Sequence, residues 1–139
     1  EIIEILRQRS RPYFFSNSLA PSIVGASLKV FEMIENDTSL RDTLEENTNY
    51  FRSKMEEAGF DLVGADAAIV PVMLYDAKLS QDMANALLDE GIYVIGFFFP
   101  VVPREKARIR VQLSAAHTKE HLDKAIAAFI KVGKELKVI

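Results

Sequence analysis

Arg108 and Arg110 are the side chains in this sequence best suited to grip a small anion. Both lie in the run Ala107, Arg108, Ile109, Arg110, Val111, Gln112, Leu113, Ser114, where apolar and polar residues alternate. A period of two puts the arginines on one face of a strand and the apolar residues on the other. A planar guanidinium on a fixed strand can hold a carboxylate through two parallel hydrogen bonds. Two arginines on a solvated sheet face can equally serve as partners for surface carboxylates. Periodicity chooses neither between these uses nor between the two residues.

Ser16-Asn17-Ser18, just ahead of Ala20-Pro21, is a second candidate, because hydroxyl and amide donors beside the start of a helix can hold an anion. Its plainer use is a helix-capping loop. His117-Thr118-Lys119-Glu120-His121 reproduces the zinc pattern H-x-x-E-H. Thr118 is a natural N-cap, however, which leaves His117 outside the helix and spoils the spacing, so no metal site is expected. The sequence has no glycine-rich phosphate loop, no G-x-S-x-G elbow, and no obvious serine, histidine and aspartate set for nucleophilic catalysis.

The elements that must position these residues follow from spacing. Ile2, Ile5 and Leu6 predict a helix over residues 1–10, stopped by Arg11-Pro12 and followed by a loop. Ile23, Val24, Ser27, Leu28, Phe31 and Ile34 mark a helix from about Leu19 to Glu35. Asn36-Asp37-Thr38-Ser39 breaks it and offers a cap for a longer helix, on which Leu40, Leu44, Phe51, Met55 and Ala58 form one stripe ending at Gly59. Strands are expected over 60–63 and 68–75, with Pro71 placing the second at an edge or a bulge. Leu79, Met83, Ala86 and Leu87 predict a short helix ended by Gly91, then a strand over 92–99 closed by Pro100 and Pro103. After the alternating strand, Thr118 opens a last helix with Leu122, Ala125, Ile126, Phe129 and Ile130 inward, reaching about Lys134.

This order predicts an α+β fold, a few-stranded and mainly antiparallel sheet with helices on one face. With 139 residues, 49% of them apolar, the chain has enough material for one core. Seventeen Lys and Arg against twenty Asp and Glu leave a net charge of −3, which argues against a nucleic-acid partner. Cysteine is absent, excluding a thiolate metal site, a disulfide scaffold and a cysteine nucleophile. The longest apolar runs fall well short of the roughly 20 residues that span a bilayer, so a soluble protein is expected. The uncapped opening Glu1-Ile2-Ile3-Glu4 reads as a piece cut from a longer chain. The first 36 residues fit the sandwich poorly, an expectation that they pack against another domain or subunit.

Three stretches carry a family resemblance: Leu6 to Tyr13 with Phe15-Ser16-Asn17-Ser18-Leu19; Gly91 to Phe97 with Pro100-Val101-Val102-Pro103; and Ala107-Arg108-Ile109-Arg110 with Ser114-Ala115-Ala116-His117-Thr118. Together they closely resemble the α-oxoamine synthases, pyridoxal-phosphate enzymes of the aspartate aminotransferase fold, and within them the branch that acetylates glycine. The resemblance spans essentially the whole chain. It implies that residues 1–36 are the end of a large domain with its connecting helix, and 37–139 a C-terminal small domain. It further implies condensation of glycine with acetyl-CoA to 2-amino-3-oxobutyrate and CoA, a step of threonine breakdown, in a homodimer of the cytoplasm, or of mitochondria in a eukaryote.

Carried over by residue, Ser16 and Asn17 fall in the loop that reaches the cofactor phosphate of the neighbouring subunit. Arg110 matches the arginine that binds the amino-acid carboxylate, with Arg108 the lesser candidate for that role. His117 falls in a motif without metal. The Schiff-base lysine of the family lies ahead of Glu1, so residues 1–139 alone are expected to be inactive, with no catalytic residue among them. Two other readings stay open: a free-standing α+β module that binds a carboxylate without chemistry, and a related synthase using a longer acyl-CoA.

Overall fold

The computed structural model describes residues 1–16, 19–64 and 67–139, and the chain divides into two compact units, 1–38 and 39–139. The first unit is helical: α1 (Ile2–Arg9), α2 (Arg11–Phe15) and α3 (Pro21–Asn36). The loop expected after Arg11-Pro12 is instead the short helix α2. Ser10 takes the extended geometry that ends α1, and Pro12 then falls in the first turn of the next helix, where its missing N–H costs nothing. Neither α1 nor α3 buries a residue. Ile5, Leu6, Ile23, Val24, Leu28 and Phe31, the apolar stripes that predict these helices, are all exposed.

The second unit holds α4 (Ser39–Glu57), β1 (Ile69–Tyr75), α5 (Ala77–Asp89), β2 (Gly96–Phe97), β3 (Ala107–Gln112) and α6 (Lys119–Glu135). It is α+β: a three-stranded antiparallel sheet in the order β1-β3-β2, with α5 lying on the sheet and α6 packed on both α5 and α4. The core takes Phe51 and Met55 from α4, Val70 and Val72 from β1, Ile109 and Leu113 from the β3 run, and Leu122, Ile126 and Phe129 from α6. The Phe129 ring meets Phe51 and Phe60 edge-on, with centroids 6.2 and 6.1 Å apart. Pro71 sits in β1, an outer strand of the sheet, and β1 carries an irregularity between Met73 and Tyr75.

Gly59 ends α4 as its spacing predicts. At φ +100° it lets the Phe60 amide donate to the Met55 carbonyl and its own amide to that of Glu56. Two expected strands are shorter than their composition predicts. Residues 60–63 make only one bridge, Leu62 to Val72, flanked by two backbone hydrogen bonds. Ala65 and Asp66, in the turn expected after them, lie outside the described residues.

The strand expected over 92–99 shrinks to Gly96 and Phe97. Its first amide is taken, because Ile92 N–H donates to the Leu87 carbonyl (2.8 Å) in the motif that closes α5 around Gly91. Ile92 and Val94 pack partly against the core, while Tyr93 and Ile95 face solvent. β2 then crosses α5 so closely that a Cβ on Gly96 would lie 2.7 Å from the Ser80 carbonyl oxygen. No side chain fits there. Gly96→Ala therefore has to push β2 off the helix at a cost of about 1–3 kcal/mol. Thermal unfolding is expected to show a midpoint lowered by several degrees, and an unchanged midpoint would contradict this close approach.

Candidate functional site

β3 positions the arginines as its alternation predicts. Ala107, Ile109 and Leu113 are buried, and Arg108, Arg110 and Gln112 lie on the opposite face. The register sets Met73 opposite Arg108 and Pro71 opposite Arg110 on one side, and Phe97 opposite Arg108 on the other. Here the two arginines part company. Arg108 is half-buried and its Nε donates to the Lys106 carbonyl oxygen at 3.0 Å. Arg110 is exposed and leans diagonally over the Phe97 ring, with Cζ 4.6 Å from the ring centroid. Among the described residues no carboxylate or carbonyl takes a hydrogen bond from its guanidinium.

Arg110 also lines a cavity of about 630 Å³ between the irregular stretch 91–95 and the end of β3. Its walls are largely apolar, including Val94, Val111 and Leu122, and its remaining polar lining includes His117, His121 and Lys124. A pocket of this kind, apolar with a few placed polar groups and one cationic fork, suits a small carboxylate ligand.

Behind the arginines, the turn from β3 to α6 is tied down by a residue that spacing does not reveal. Asn47 of α4 donates through Nδ2 to the Ser114 carbonyl oxygen (3.0 Å) and to that of His117 (2.9 Å). Its partners are 67 and 70 residues away, so no local pattern could have found it. Thr118 is the N-cap of α6, as the sequence predicts, and His121 completes the box: its Nδ1 accepts from the Thr118 N–H while Thr118 Oγ1 accepts from the His121 N–H. His117 stands outside the helix, its Nδ1 accepting from the Ser114 N–H. Both imidazoles thus serve the backbone. No group of three metal-binding side chains occurs among the described residues.

Nearby, the Tyr50 hydroxyl donates to Asp123 (2.5 Å), which joins α4 to α6, and Lys119 lies over the Tyr50 ring at 4.9 Å. The hydrogen bond to the Asp123 carboxylate pushes the Tyr50 phenol above its ordinary value, so it keeps its proton across the neutral range.

In the first unit, Ser16 follows α2 in an extended conformation, with its amide donating to the Pro12 carbonyl at 2.9 Å. Its side chain is exposed and makes no hydrogen bond among the described residues. Asn17, the other residue expected at a cofactor phosphate, lies outside the described residues, as does Ser18. Ser16 and Arg110 fall in different units.

A three-stranded antiparallel sheet under helices is a fold that this chain shares with solved enzymes holding PLP. The chain belongs to the aminotransferase class I and II family, whose model matches residues 1–129. It is 60% identical over all 139 residues to the 2-amino-3-ketobutyrate coenzyme A ligase of Escherichia coli K12. It is 51% identical over 133 residues, 96% of the chain, to the mitochondrial 2-amino-3-ketobutyrate coenzyme A ligase of Mus musculus. These matches cover 35% and 32% of the two relatives, so the chain spans about a third of their length. Among solved structures, a serine palmitoyltransferase from S. paucimobilis with a bound PLP-myriocin aldimine superimposes with a TM-score of 0.89 at 30% identity, over 98% of this chain and 35% of that one. Among the described residues no helix is long and apolar enough to cross a membrane.

Asn47→Ala takes the amide donor from the His117 carbonyl and one of two donors from that of Ser114, which keeps the His117 N–H at 3.1 Å, and is expected to cost about 1–3 kcal/mol. Denaturant unfolding reads the loss, and amide exchange over residues 114–118 should quicken. Unchanged exchange there would show that something else holds the turn.

Proposed function

We propose that this chain is the C-terminal part of a pyridoxal-phosphate-dependent glycine C-acetyltransferase, which condenses glycine with acetyl-CoA to 2-amino-3-oxobutyrate and CoA in threonine breakdown. The observation that carries the reading is Arg110: an exposed guanidinium on a strand, with no hydrogen-bond acceptor among the described residues, in a chain 60% identical to a 2-amino-3-ketobutyrate coenzyme A ligase. Residues 1–36 are the end of the large domain with its connecting helix, and 37–139 the small domain. The division of the chain between Thr38 and Ser39 supports that boundary, and the uncovered apolar stripes of α1 and α3 suit helices made to pack elsewhere. The full-length protein is a homodimer of the bacterial cytoplasm, or of mitochondria in a eukaryote.

The residues present fit the cofactor as far as this chain reaches. The exposed Ser16 hydroxyl, which makes no hydrogen bond among the described residues, suits a donor to phosphate oxygens, and we assign it, with Asn17, to the phosphate of the partner subunit's cofactor. When bound, pyridoxal phosphate supplies the electron sink for the pair left behind as the glycine α-proton departs. The chain's own residues bind and orient. Arg110 holds the glycine carboxylate through both arms of its fork, which fixes the rotation of the substrate about its Cα. The apolar walls beside it reduce competition from water for those hydrogen bonds. Residues 1–139 alone are inactive, because the lysine that anchors the cofactor is not among them.

Two outcomes are expected in the full-length enzyme. Arg110→Lys keeps the charge but loses the planar fork, so KM for glycine should rise and kcat/KM for glycine fall about 10- to 100-fold, with the acetyl-CoA dependence little changed. Arg108→Lys, whose parent side chain is already committed to the Lys106 carbonyl, should do little; the reverse ranking would move the role to Arg108. Separately, Ser16→Ala with Asn17→Ala should speed cofactor loss on dialysis, followed by absorbance, and full retention would remove both residues from the phosphate site.

A further inference from the structure

We propose that Phe97 is the positioning residue for Arg110, holding its guanidinium in place without occupying the hydrogen bonds that a carboxylate needs. The proposal deepens the reading of Arg110 as the glycine-carboxylate arginine and rests on it. An exposed arginine has many rotamers, and freezing it costs up to about 2 kcal/mol of side-chain entropy. A binding arginine that is already held loses less on meeting its ligand. The surroundings of Arg110 leave few ways to hold it. Its cross-strand neighbour is Pro71, which offers no side-chain donor or acceptor, and Arg108 carries the same charge and donates to Lys106.

Among the described residues the contact made by the guanidinium is with the Phe97 ring, 4.6 Å from Arg110 Cζ on the diagonal of the β2–β3 pair. Phe97 is itself well fixed. Its backbone pairs with Arg108, and the preceding Gly96 is pressed against the Ser80 carbonyl. A carboxylate in this position would orient the arginine too, but by taking the same N–H groups that the substrate needs. A ring face attracts the cation through its quadrupole and leaves the edge N–H donors free. An aromatic anchor therefore serves a residue whose task is to bind a carboxylate from outside, whereas an acidic anchor would compete with it.

The test is steady-state kinetics of the full-length holoenzyme carrying Phe97→Leu, Phe97→Tyr or Phe97→Glu, with Arg110→Gln alone and combined with Phe97→Leu. Phe97→Leu is expected to raise KM for glycine about two- to fivefold while KM for acetyl-CoA and the bound cofactor stay as they were. Phe97→Tyr keeps the ring face and should restore the glycine KM. Phe97→Glu should raise it further than leucine does, by supplying a competing carboxylate. In the Arg110→Gln background, which has no cation to hold, Phe97→Leu should add nothing. Phe97→Met, apolar and unbranched but without a ring, repeats the leucine measurement should that variant fold poorly.

The proposal is overturned if tyrosine is as damaging as leucine, if leucine raises both KM values together, or if its effect persists beside Arg110→Gln. A normal glycine KM in Arg110→Gln itself overturns the carboxylate reading and the role of Phe97 with it. A raised KM there, together with a Phe97→Leu variant that is silent when Arg110 is intact, overturns the role of Phe97 alone.

Discussion

A guanidinium cannot be buried without a partner, and that constraint fixes β3 in one register. A slip by one residue would turn Arg108 and Arg110 into the core under α5 and bring Ile109 and Leu113 out to water. The penalty is several kcal/mol for each unpaired charge, added to about 1.5–3 kcal/mol for each large apolar side chain lost from the core. No rearrangement of the helices offsets that. The fully buried Ile109 then anchors the sheet to the cluster around Phe129, and the open face is left to the arginines. The chemistry proposed for Arg110 and the packing of the second unit are two results of the same alternation.

Much of this was legible in the chain. The alternation over 107–113, the glycines after α4 and α5, and Thr118 ahead of α6 are local signals, each sufficient in itself, and they set most element boundaries correctly. The failures have one physical origin. The run from Ile92 to Phe99 has the composition of a strand, but its pairing depends on partners far away in sequence. The Leu87 carbonyl claims the first amide, and Gly96 lies so close to Ser80 of α5 that no Cβ would fit there. Residues 60–63 likewise find only a single bridge on β1. At Arg11-Pro12 the opposite happened: a residue read as a helix stop was accommodated in the first turn of a new helix.

The candidate site divides in the same way. That a polar face carries two arginines is a matter of period, readable from seven residues. Which arginine is free is a matter of what each one touches, and the Lys106 carbonyl and the Phe97 ring decide it. Asn47 shows the limit most plainly: an asparagine on a charged helix, with another at Asn49, gives no hint that it secures a turn 67 residues further on. Asn17 falls outside the described residues, so for the phosphate loop only Ser16 joins a sequence expectation to an observed geometry.

The brevity of β2 has a consequence for the company this sheet keeps. Beyond Ile109, the side of β3 that faces β2 has no ladder partner among the described residues, so its backbone there presents an unmatched rim. Such rims recruit extended segments from neighbouring molecules, and proteins discourage this by placing charge on the exposed strand. Arg110 stands where that protection is needed, with the polar Gln112 beside it. A cation on that rim opposes such pairing, so exchanging Arg110 for an apolar residue would make the exposed edge more prone to aggregate.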